Sequence, residues 1–365
     1  MSDHVKVAFC GPIAAWDEAA KGGMESGARG MIAELEMRQI QVFEFAYPAP
    51  NRYRNPLAKG FVYLLGLPVL FSRVLLSSRK FDVLHFTVLY RHFLYAEFAL
   101  VVGARILGRP VLLNLRPGDW WLQYQQRSTL YRLFFKTMVR LSQRVAIESY
   151  DLMEQIRLLG VDPIYVPSFV TSKPRMREES DSRCVTVKLV YLGSLNDSKG
   201  IPVVLEARRL LQASGIDAVL KVIGGGDALY VDKLREIYNE PEVQWLGEIA
   251  HKNVREVIGD SHFFLFPTTF FGEGHSNALN ECMAEGIVPV VSDHGANRGV
   301  VGGGGIVLRK NASAGDYAAA VKSVWTNKEW TSRSRICTSV MAERFYAPVV
   351  MDRLVDAYRE IVRKN

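Results

Sequence analysis

The 365-residue sequence has only four cysteines, which are far apart and form no Cys-x-x-Cys pair: Cys10, Cys184, Cys282 and Cys337. Neither a disulfide framework nor a zinc site is therefore predicted, and a reducing cytoplasm is the expected location. The N-terminus runs from Met1 directly into the apolar stretch Val5–Phe9. Since no basic and then apolar leader precedes that stretch, no secretory signal is expected.

Long uninterrupted apolar runs are also missing. The two most apolar stretches, Phe61–Leu76 and Phe93–Leu107, are both interrupted by charged residues, and the first also contains glycine and proline. Neither reaches the ~20 clean residues that a membrane span needs. With 48% hydrophobic and 23% charged residues, the composition is that of a soluble globular chain of two ordinary domains.

Acidic residues are scarce in one part of the chain. The net charge is +7, and residues 1–175 contain 22 Lys and Arg against 14 Asp and Glu. Within Arg52–Arg144 the ratio is 15 basic residues to three acidic ones. A field of that size attracts polyanions such as nucleic acid, a membrane surface or a phosphorylated acceptor. The aromatic and basic residues follow no recognised RNA-binding pattern, so no nucleic-acid partner is expected.

Short apolar segments alternate with helical segments along the whole chain. In the first half the predicted strands are Val5–Phe9, Val42–Ala46, Val83–Phe86, Val111–Leu115 and Val145–Ile147. The alternation resumes at Val187–Leu192, followed by a helix at about Ile201–Ala213 and a strand at Val219–Ile223. This pattern predicts an α/β fold with two domains, each with a parallel sheet and right-handed connections.

The domain boundaries follow from the one long stretch without apolar periodicity, Pro167–Val185. We predict a first domain at residues 1–170, a linker at 171–185 and a second domain at 186–346. A final helix is predicted at 347–365, because apolar residues recur at helical spacing within Ala347–Arg363.

The most informative stretch is Phe263–Asp293. It is predicted to form a buried strand at Phe263–Phe266, a loop, a helix from about Asn277 that ends at Gly286, and a second strand at Pro289–Ser292. In a parallel sheet this unit places the loop and the helix N-terminus at the carboxyl ends of the strands. Free backbone N–H groups there favour an anion, so a binding site is predicted at residues 272–277.

Two carboxylates flank that site, Glu273 and Glu281, with seven residues between them. If the helix begins near Asn277, Glu273 lies on the loop and both carboxylates can face one ligand. Each carboxylate can accept two hydroxyl hydrogen bonds. The alternative is that Glu281 is a solvated helix residue and Glu273 an unremarkable loop charge.

The spacing of these two residues, with the small-residue helix end and the following Pro-Val-Val strand, resembles the retaining glycosyltransferases of the GT-B fold (glycosyl transferases group 1, family 4 type). The resemblance implies two Rossmann-like domains that face each other across a cleft, with the C-terminal helix returning to the N-terminal domain. It also implies that Glu273 contacts the sugar and Glu281 the ribose hydroxyls of a nucleotide-sugar donor. The donor site would include Gly274, His275, Ser276 and Asn277.

A second motif follows the strand Val187–Leu192. Gly193 ends the strand, and Lys199 comes at the start of a helix after a short loop, which is an arrangement suited to a diphosphate. The alternative is a solvated loop lysine. The family usually has Arg and then Lys on this loop; Lys199 matches the second, but Ser194 stands where the arginine is expected. Diphosphate charge is therefore expected to be met partly by Arg116 or Arg298.

Three features of the first half also face the ligand edge of the predicted sheet. The pair Gly22 and Gly23 precedes a predicted helix at Met24–Arg38, and glycine there allows close approach of a ligand, although a simple chain reversal is an alternative. His85 and Arg116 end predicted strands. Many members of the family have a histidine where Arg116 stands. His85 has two interpretations, a catalytic residue or a hydrogen-bonded residue at a strand end.

The resemblance implies a retaining transfer of a sugar from a nucleoside diphosphate to an acceptor hydroxyl, with Glu273, Lys199 and Arg116 as the catalytic residues. No cofactor is expected, and because no Asp-x-Asp pair is placed to hold a metal, no metal is expected either. A nucleotide-sugar epimerase or hydrolase of the same fold, or a non-enzymatic polyanion binder, are the alternatives.

The basic segment predicts how the acceptor is reached. Trp120–Arg144 is predicted to be one helix in which Arg132, Lys136, Arg140 and Arg144 form a basic stripe. The composition of Pro56–Leu76 suits a helix that lies in a membrane interface. We therefore expect a lipid-linked or saccharide acceptor and a peripheral position on the anionic inner face of the membrane. The alternative is that the aromatic residues belong to the core and the stripe is a solvated face.

Overall fold

A computed structural model describes residues 5–14, 23–48, 56–89, 91–177 and 185–364. The chain divides into two compact units. The first contains residues 1–167 together with 347–365, and the second contains residues 168–346. Each unit is an α/β structure around a six-stranded sheet, as the sequence predicts. None of the helices in the described ranges is both long enough and apolar enough to cross a membrane.

The sheet of the first unit is entirely parallel, with the strand order β2-β1-β3-β4-β5-β6. Its strands are β1 (Lys6–Gly11), β2 (Gln41–Ala46), β3 (Val83–Thr87), β4 (Val111–Leu115), β5 (Arg144–Ile147) and β6 (Pro163–Tyr165). Its helices are α1 (Gly23–Met37), α2 (Pro56–Leu76), α3 (Leu94–Ile106), α4 (Trp120–Gln126), α5 (Thr129–Leu141), α6 (Met153–Leu158) and α14 (Ala347–Arg363). The central strands β3 and β4 are buried at every position, as expected for a parallel sheet covered on both faces.

Helix α14 belongs to the first unit although it follows the second unit in the sequence. Its apolar stripe, which includes Val350, Leu354, Tyr358 and Ile361, is buried. The helix packs against α1, β3 and β6, and Arg144 on β5 forms an ion pair of 2.8 Å with Glu360. The predicted return of the C-terminal helix to the N-terminal domain is therefore confirmed.

His85 on β3 lies beneath α14 and is completely buried. Its Nε2 accepts a hydrogen bond from the Asn114 amide at 3.0 Å, and its Nδ1 lies 2.5 Å from the Tyr358 hydroxyl. Because an amide nitrogen can only donate, Nδ1 carries the proton and donates it to Tyr358. Burial, assisted by the positive charge of Arg116, lowers the pKa of His85 to about 3. In this unit His85 is a neutral, hydrogen-bonded core residue.

The second unit also has an entirely parallel sheet, with the strand order β12-β11-β10-β7-β8-β9. Its strands are β7 (Val187–Leu192), β8 (Ala218–Ile223), β9 (Val243–Gly247), β10 (Phe263–Phe266), β11 (Val288–Ser292) and β12 (Ile306–Leu308). Its helices are α7 (Ile201–Ala213), α8 (Ala228–Ile237), α9 (His251–Ile258), α10 (Asn277–Ala284), α11 (Asn297–Val301), α12 (Ala314–Thr326) and α13 (Trp330–Arg344). The chain runs outward from β7 in one direction and from β10 in the other, so the strand order reverses between these two neighbours.

The segment predicted as a linker, 171–185, differs from the observed division, which falls between residues 167 and 168. Residues before 178 are attached to the second unit by buried hydrogen bonds. The Arg175 amide donates to the Ala284 carbonyl at 2.7 Å, and the Arg177 guanidinium donates to the carbonyls of Glu285 and Ser261 at 2.7 and 2.6 Å. A charged segment without apolar periodicity can thus be held by its arginines.

The prediction of one helix over Trp120–Arg144 is wrong. The chain forms α4 and α5, separated by Arg127 and Ser128. Arg127 is extended, and the Ser128 hydroxyl accepts from the Tyr131 amide, which starts a new helix. Of the predicted basic stripe, Arg144 lies on β5 rather than on α5.

We expect Tyr358→Phe to lower the free energy of unfolding by roughly 1–3 kcal/mol, because it leaves the buried Nδ1–H of His85 without an acceptor. Chemical denaturation of the full chain, followed by near-ultraviolet circular dichroism, measures the change. Tyr150→Phe is the control, since Tyr150 is exposed and should tolerate the loss of its hydroxyl. Equal stabilities for the two variants would contradict the role assigned to Tyr358.

Candidate donor site

The site predicted from the sequence lies where the strand order of the second sheet reverses. The strands β7 and β10 are parallel neighbours, and their carboxyl ends are Leu192 and Phe266. The loops that follow them carry Lys199 and Glu273. In open α/β sheets the crevice at this reversal is where ligands bind, because the two loops diverge there.

Lys199 and Glu273 are in direct contact across these loops. Lys199 Nζ lies 2.5 Å from Glu273 Oε2, and the same oxygen accepts from the Thr268 hydroxyl at 3.0 Å. The lysine ammonium also lies over the Phe270 ring, 4.7 Å from its centroid. The side chains of Lys199 and Glu273 are 19% and 9% exposed, so the pair is shielded but still reaches the surface. The structure thus brings together two of the predicted site residues.

The backbone holds Lys199 in this position. Asn196 accepts from the Lys199 amide at 3.0 Å through its side-chain oxygen and so caps a short 3-10 turn at Asp197–Lys199. Gly200 then adopts a left-handed conformation with φ of 79°, and a Cβ on it would lie 2.5 Å from the Pro267 ring. Only glycine fits there, so this residue fixes the start of α7 and the direction of the lysine.

A second glycine segment, Gly224–Gly226, follows β8 and lies against the loop after β7. The Leu195 amide donates to the Gly225 carbonyl at 2.8 Å, and a Cβ on Gly224 would lie 1.9 Å from the Gly193 carbonyl oxygen. Ser194 follows Gly193 and is exposed, and its carbonyl accepts from the Tyr191 hydroxyl at 2.6 Å. Gly224–Gly226 was not among the predicted site residues, although three consecutive glycines after a strand are a signal for close backbone approach.

The N-terminus of α10 closes the site on the side of Glu273. The Ser276 hydroxyl caps the helix by accepting from the Leu279 amide at 3.4 Å. The His275 ring is buried and points into the unit, where Nε2 lies 2.7 Å from Asn280 Oδ1 and the ring packs against Phe345. For residues 274–277 the structure therefore offers the backbone, and not the histidine ring, to a ligand.

Glu281 lies on the first turns of α10 and is partly exposed. Its Oε1 is 3.0 Å from Nε2 of His251, the first residue of α9. This hydrogen bond raises the pKa of His251, and partial burial opposes the effect. His251 was not among the predicted site residues, since a lone histidine 30 residues before Glu281 gives no signal before the fold is known.

Arg298 lies on α11 at the surface of the same unit. Its guanidinium forms two hydrogen bonds with the Asp293 carboxylate, at 3.0 and 2.7 Å. Arg298 is thus an exposed residue in a local ion pair, and a diphosphate would have to compete with Asp293 for it.

The remaining predicted residues belong to the first unit. Arg116 follows β4, is buried, and forms an ion pair of 2.5 Å with Glu148, which follows β5. Gly23 is the first residue of α1, and Gly22 lies outside the described residues. No group of three or more His, Cys, Asp or Glu side chains that could hold a metal ion occurs in the described parts of the chain.

Comparison with known proteins finds a family match within the second unit. Residues 186–327 match the family model described as glycosyl transferases group 1. No curated protein matches the sequence.

Solved structures with the same fold cover nearly the whole chain at low identity. HepE from Anabaena in complex with UDP is 15% identical, with a TM-score of 0.71 over 97% of this chain and 100% of that one. Sucrose-phosphate synthase from Thermosynechococcus elongatus is 15% identical, with a TM-score of 0.76 over 99% and 100%. A UDP-forming α,α-trehalose-phosphate synthase from Burkholderia vietnamiensis is 12% identical, with a TM-score of 0.69 over 98% and 99%.

The contact between His251 and Glu281 gives a prediction that needs no substrate. In Glu281→Gln the pKa of His251 should fall toward 6.5, because the charged acceptor that stabilises the imidazolium is lost. The stability that this contact contributes is therefore present below pH 6.5 and is lost as the pH rises through the raised pKa. NMR titration of the His251 ring measures the shift.

The control for this titration is Glu256→Gln, which removes an exposed carboxylate from the same helix, α9, and leaves Glu281 in place. An identical His251 titration in wild type and Glu281→Gln would show that the two side chains do not interact in solution.

Proposed function

Because residues 186–327 match the glycosyl transferases group 1 family model in a chain with the GT-B fold, we infer that the protein is a glycosyltransferase that takes its sugar from a nucleotide-sugar donor. The contact between Lys199 and Glu273 at the reversal of the second sheet is the observation that carries this inference to individual residues. It places one cation and one carboxylate at the edge where a diphosphate and a sugar would meet.

We propose that the diphosphate lies between the loop at 193–200 and the N-terminus of α10. Lys199 supplies an ammonium, and the N-terminus of α10 supplies backbone N–H groups and the positive end of the helix dipole. Gly193 and the segment Gly224–Gly226 let the backbone approach the ligand without side chains in between. Glu281 binds the ribose hydroxyls, and His251 is the partner that it exchanges for them.

We propose that Glu273 holds the transferred sugar. Its Oε2 is already fixed by Lys199 and Thr268, so the carboxylate is oriented before the donor binds. A group that is oriented in advance costs no reorganisation when charge develops on the leaving diphosphate. The predicted participation of Arg116 stays a prediction; in this structure its guanidinium is held by Glu148.

We further propose that the transfer retains the anomeric configuration. The leaving phosphate accepts the proton of the acceptor hydroxyl on the same face of the sugar, so no side-chain base is required. Charge on the leaving diphosphate is stabilised by Lys199 and by the helix N-terminus, and we propose that no cofactor or divalent cation takes part. NMR analysis of the product linkage tests retention, and assays in EDTA test independence from metal.

For the acceptor, we propose a lipid-linked or membrane-associated saccharide used in polysaccharide or glycoconjugate synthesis. The excess of basic residues in 1–175 supports this, since it favours a protein that works at the anionic inner face of the cytoplasmic membrane. A panel of UDP-, GDP- and ADP-sugars, screened by thermal shift and then by product mass spectrometry with lipid-linked acceptors, tests the donor and the acceptor separately.

An epimerase or hydrolase with the same donor site is the alternative function. Transfer and the alternative activity are separated by incubating the protein, without an acceptor, with the nucleotide-sugar that stabilises it in the thermal-shift screen. Isomerised sugar, or free sugar released as fast as transfer, would favour the alternative, whereas an intact donor supports transfer.

The first functional prediction separates the two glutamates. Glu281→Ala should weaken nucleotide binding by roughly 1.5–3 kcal/mol, the scale of a hydrogen bond to a charged group. Glu273→Gln should lower kcat more than nucleotide affinity, because it acts on the sugar. Calorimetry with the free nucleotide and steady-state kinetics measure both effects.

Glu256→Ala is the control for these variants, since it removes an equal charge from the exposed surface of α9. Unchanged nucleotide affinity in Glu281→Ala would remove Glu281 from the site. Equal losses of affinity for free nucleotide in both variants would contradict the separate role of Glu273.

The second functional prediction concerns Lys199. Lys199→Ala should reduce kcat/KM by on the order of 100-fold, because the ammonium stabilises charge that grows on the leaving group. Steady-state kinetics measure the loss, and Lys252→Ala on the exposed face of α9 is the control. A reduction below about threefold, in a variant that melts like wild type, would show that Lys199 is not part of the catalytic machinery.

A further inference from the structure

Helix α2 exposes an unusual number of apolar side chains. Five of them are between 62% and 86% exposed, and we refer to them as the α2 stripe: Phe61, Leu64, Leu65, Val69 and Leu76. Leu65, Val69 and Leu76 follow one another at spacings of four and seven residues, which places them on one face of a helix. Contiguous apolar surface of this kind marks an interaction site in a folded protein.

Three residues of the α2 stripe, Leu65, Val69 and Leu76, lie on the side of the helix opposite to the face that packs in the core. Leu67, Leu70, Phe71 and Val74 of the same helix are buried in the core of the first unit. At 100° per residue, Leu65, Val69 and Leu76 point roughly 160–200° away from Leu67. The helix is therefore apolar on both sides, and its own unit covers only one of them.

Exposed apolar side chains also occur beyond α2, on a helix two positions away in the packing. Helix α3 packs against α2, where Gly103 meets Leu75, and against α5, where Phe98 meets Phe134 with ring centroids 4.8 Å apart. On α5, Leu130 and Leu133 are 56% and 59% exposed. The buried aromatic residues Trp120, Tyr131 and Phe135 belong to the core, as the alternative interpretation of the sequence stated, but the exposed leucines do not.

The part of the sequence that forms α2, α3 and α5 is strongly basic. From residue 56 to residue 142 the chain contains three acidic residues, Asp82, Glu97 and Asp119. Glu97 and Asp119 are buried, and Asp82 accepts a hydrogen bond from the Lys6 amide at 2.9 Å. The basic residues Arg73, Arg79 and Lys80, at the end of α2 and just after it, are exposed. A solvated face of an ordinary protein mixes both signs.

We infer that the α2 stripe inserts into the interface of an anionic lipid bilayer, while Arg73, Arg79 and Lys80 contact the headgroups. An apolar face flanked by basic residues, on a helix that does not span, is the pattern of a helix that lies in the membrane interface. A nucleic acid would match the charge but would leave the apolar side chains without a partner. The inference rests on the proposed membrane-associated acceptor, and it adds the element of the chain that docks.

The test measures binding to vesicles without donor or acceptor, so its outcome is independent of catalysis. The full chain is sedimented with vesicles of phosphatidylcholine alone or with 30% phosphatidylglycerol, at low salt and at roughly 0.5 M salt. We expect wild type to bind the anionic vesicles at low salt and to be released at high salt.

Two sets of substitutions separate the apolar and the charged contributions. Leu65→Ser with Val69→Ser should weaken binding to anionic vesicles at least about tenfold, because two buried aliphatic side chains are lost from the membrane. Arg73→Ser with Arg79→Ser and Lys80→Ser should weaken it by on the order of 100-fold and abolish the preference for anionic lipid. Leu229→Ser, at an 82% exposed position of α8 in the second unit, should bind like wild type.

A local probe tests insertion directly. In a Cys184→Ser background, with Cys10, Cys282 and Cys337 buried, an environment-sensitive dye on Val69→Cys should brighten with anionic vesicles. The same dye on Leu229→Cys should not.

Three results would overturn the inference. The first is that the wild-type protein does not bind vesicles, and the second is that the Leu65 and Val69 double variant binds them as well as wild type does. The third is that the double substitution changes the oligomeric state of the protein and leaves vesicle binding unchanged. Nucleotide affinity of the same variants should stay at the wild-type value. If the wild-type protein binds nucleotide but not anionic vesicles, only the docking inference is contradicted. If the wild-type protein binds no nucleotide, the proposed function is contradicted.

Discussion

The ion pair between Lys199 and Glu273 is the contact on which the geometry of the donor site depends. It joins the loops after β7 and β10, the parallel neighbours from which the strand order runs toward the two opposite edges of the sheet. A carboxylate as shielded as Glu273 is unfavourable unless it is paired, so the loops reach low energy only in the arrangement that satisfies it. Asn196, Gly200 and Thr268 supply the supporting contacts, which orient the two side chains in the absence of a ligand.

A paired site must release its internal partners when the donor binds. Glu281 shows this most clearly, because the hydrogen bond that it makes with His251 is replaced by bonds to hydroxyl groups if it binds a ribose. Affinity then reflects the difference between two sets of hydrogen bonds, and not the sum of the new ones. The same reasoning applies to Lys199, whose ammonium would exchange part of its attraction to Glu273 for the diphosphate in the proposed complex.

Much of the fold could be predicted because long buried strands carry a strong signal, as in Phe263–Phe266 and Val187–Leu192. The three-residue strands Pro163–Tyr165 and Ile306–Leu308 lie at sheet edges and are partly exposed. Because they are short and not fully buried, the sequence carries no clear signal for them. In the candidate site, Glu273 and Lys199 could be predicted to lie at the carboxyl edge of the sheet because a motif and a strand end mark them. The contacts of His251 and of Gly224–Gly226 could not, since each depends on distant segments meeting. The same holds for His85, whose partner Tyr358 is contributed by the final helix.

That late contribution has a consequence for the order in which the protein is made. The first unit consists of residues 1–167 and 347–365, so the ribosome completes the whole second unit before α14 emerges. Until then the surface of β3 above His85 lacks the Tyr358 hydroxyl and the apolar stripe of α14. Domains generally fold as they are synthesised, from the N-terminal one onward. In this chain the second unit can complete its folding first, and the packing of α14 against the N-terminal sheet is completed last.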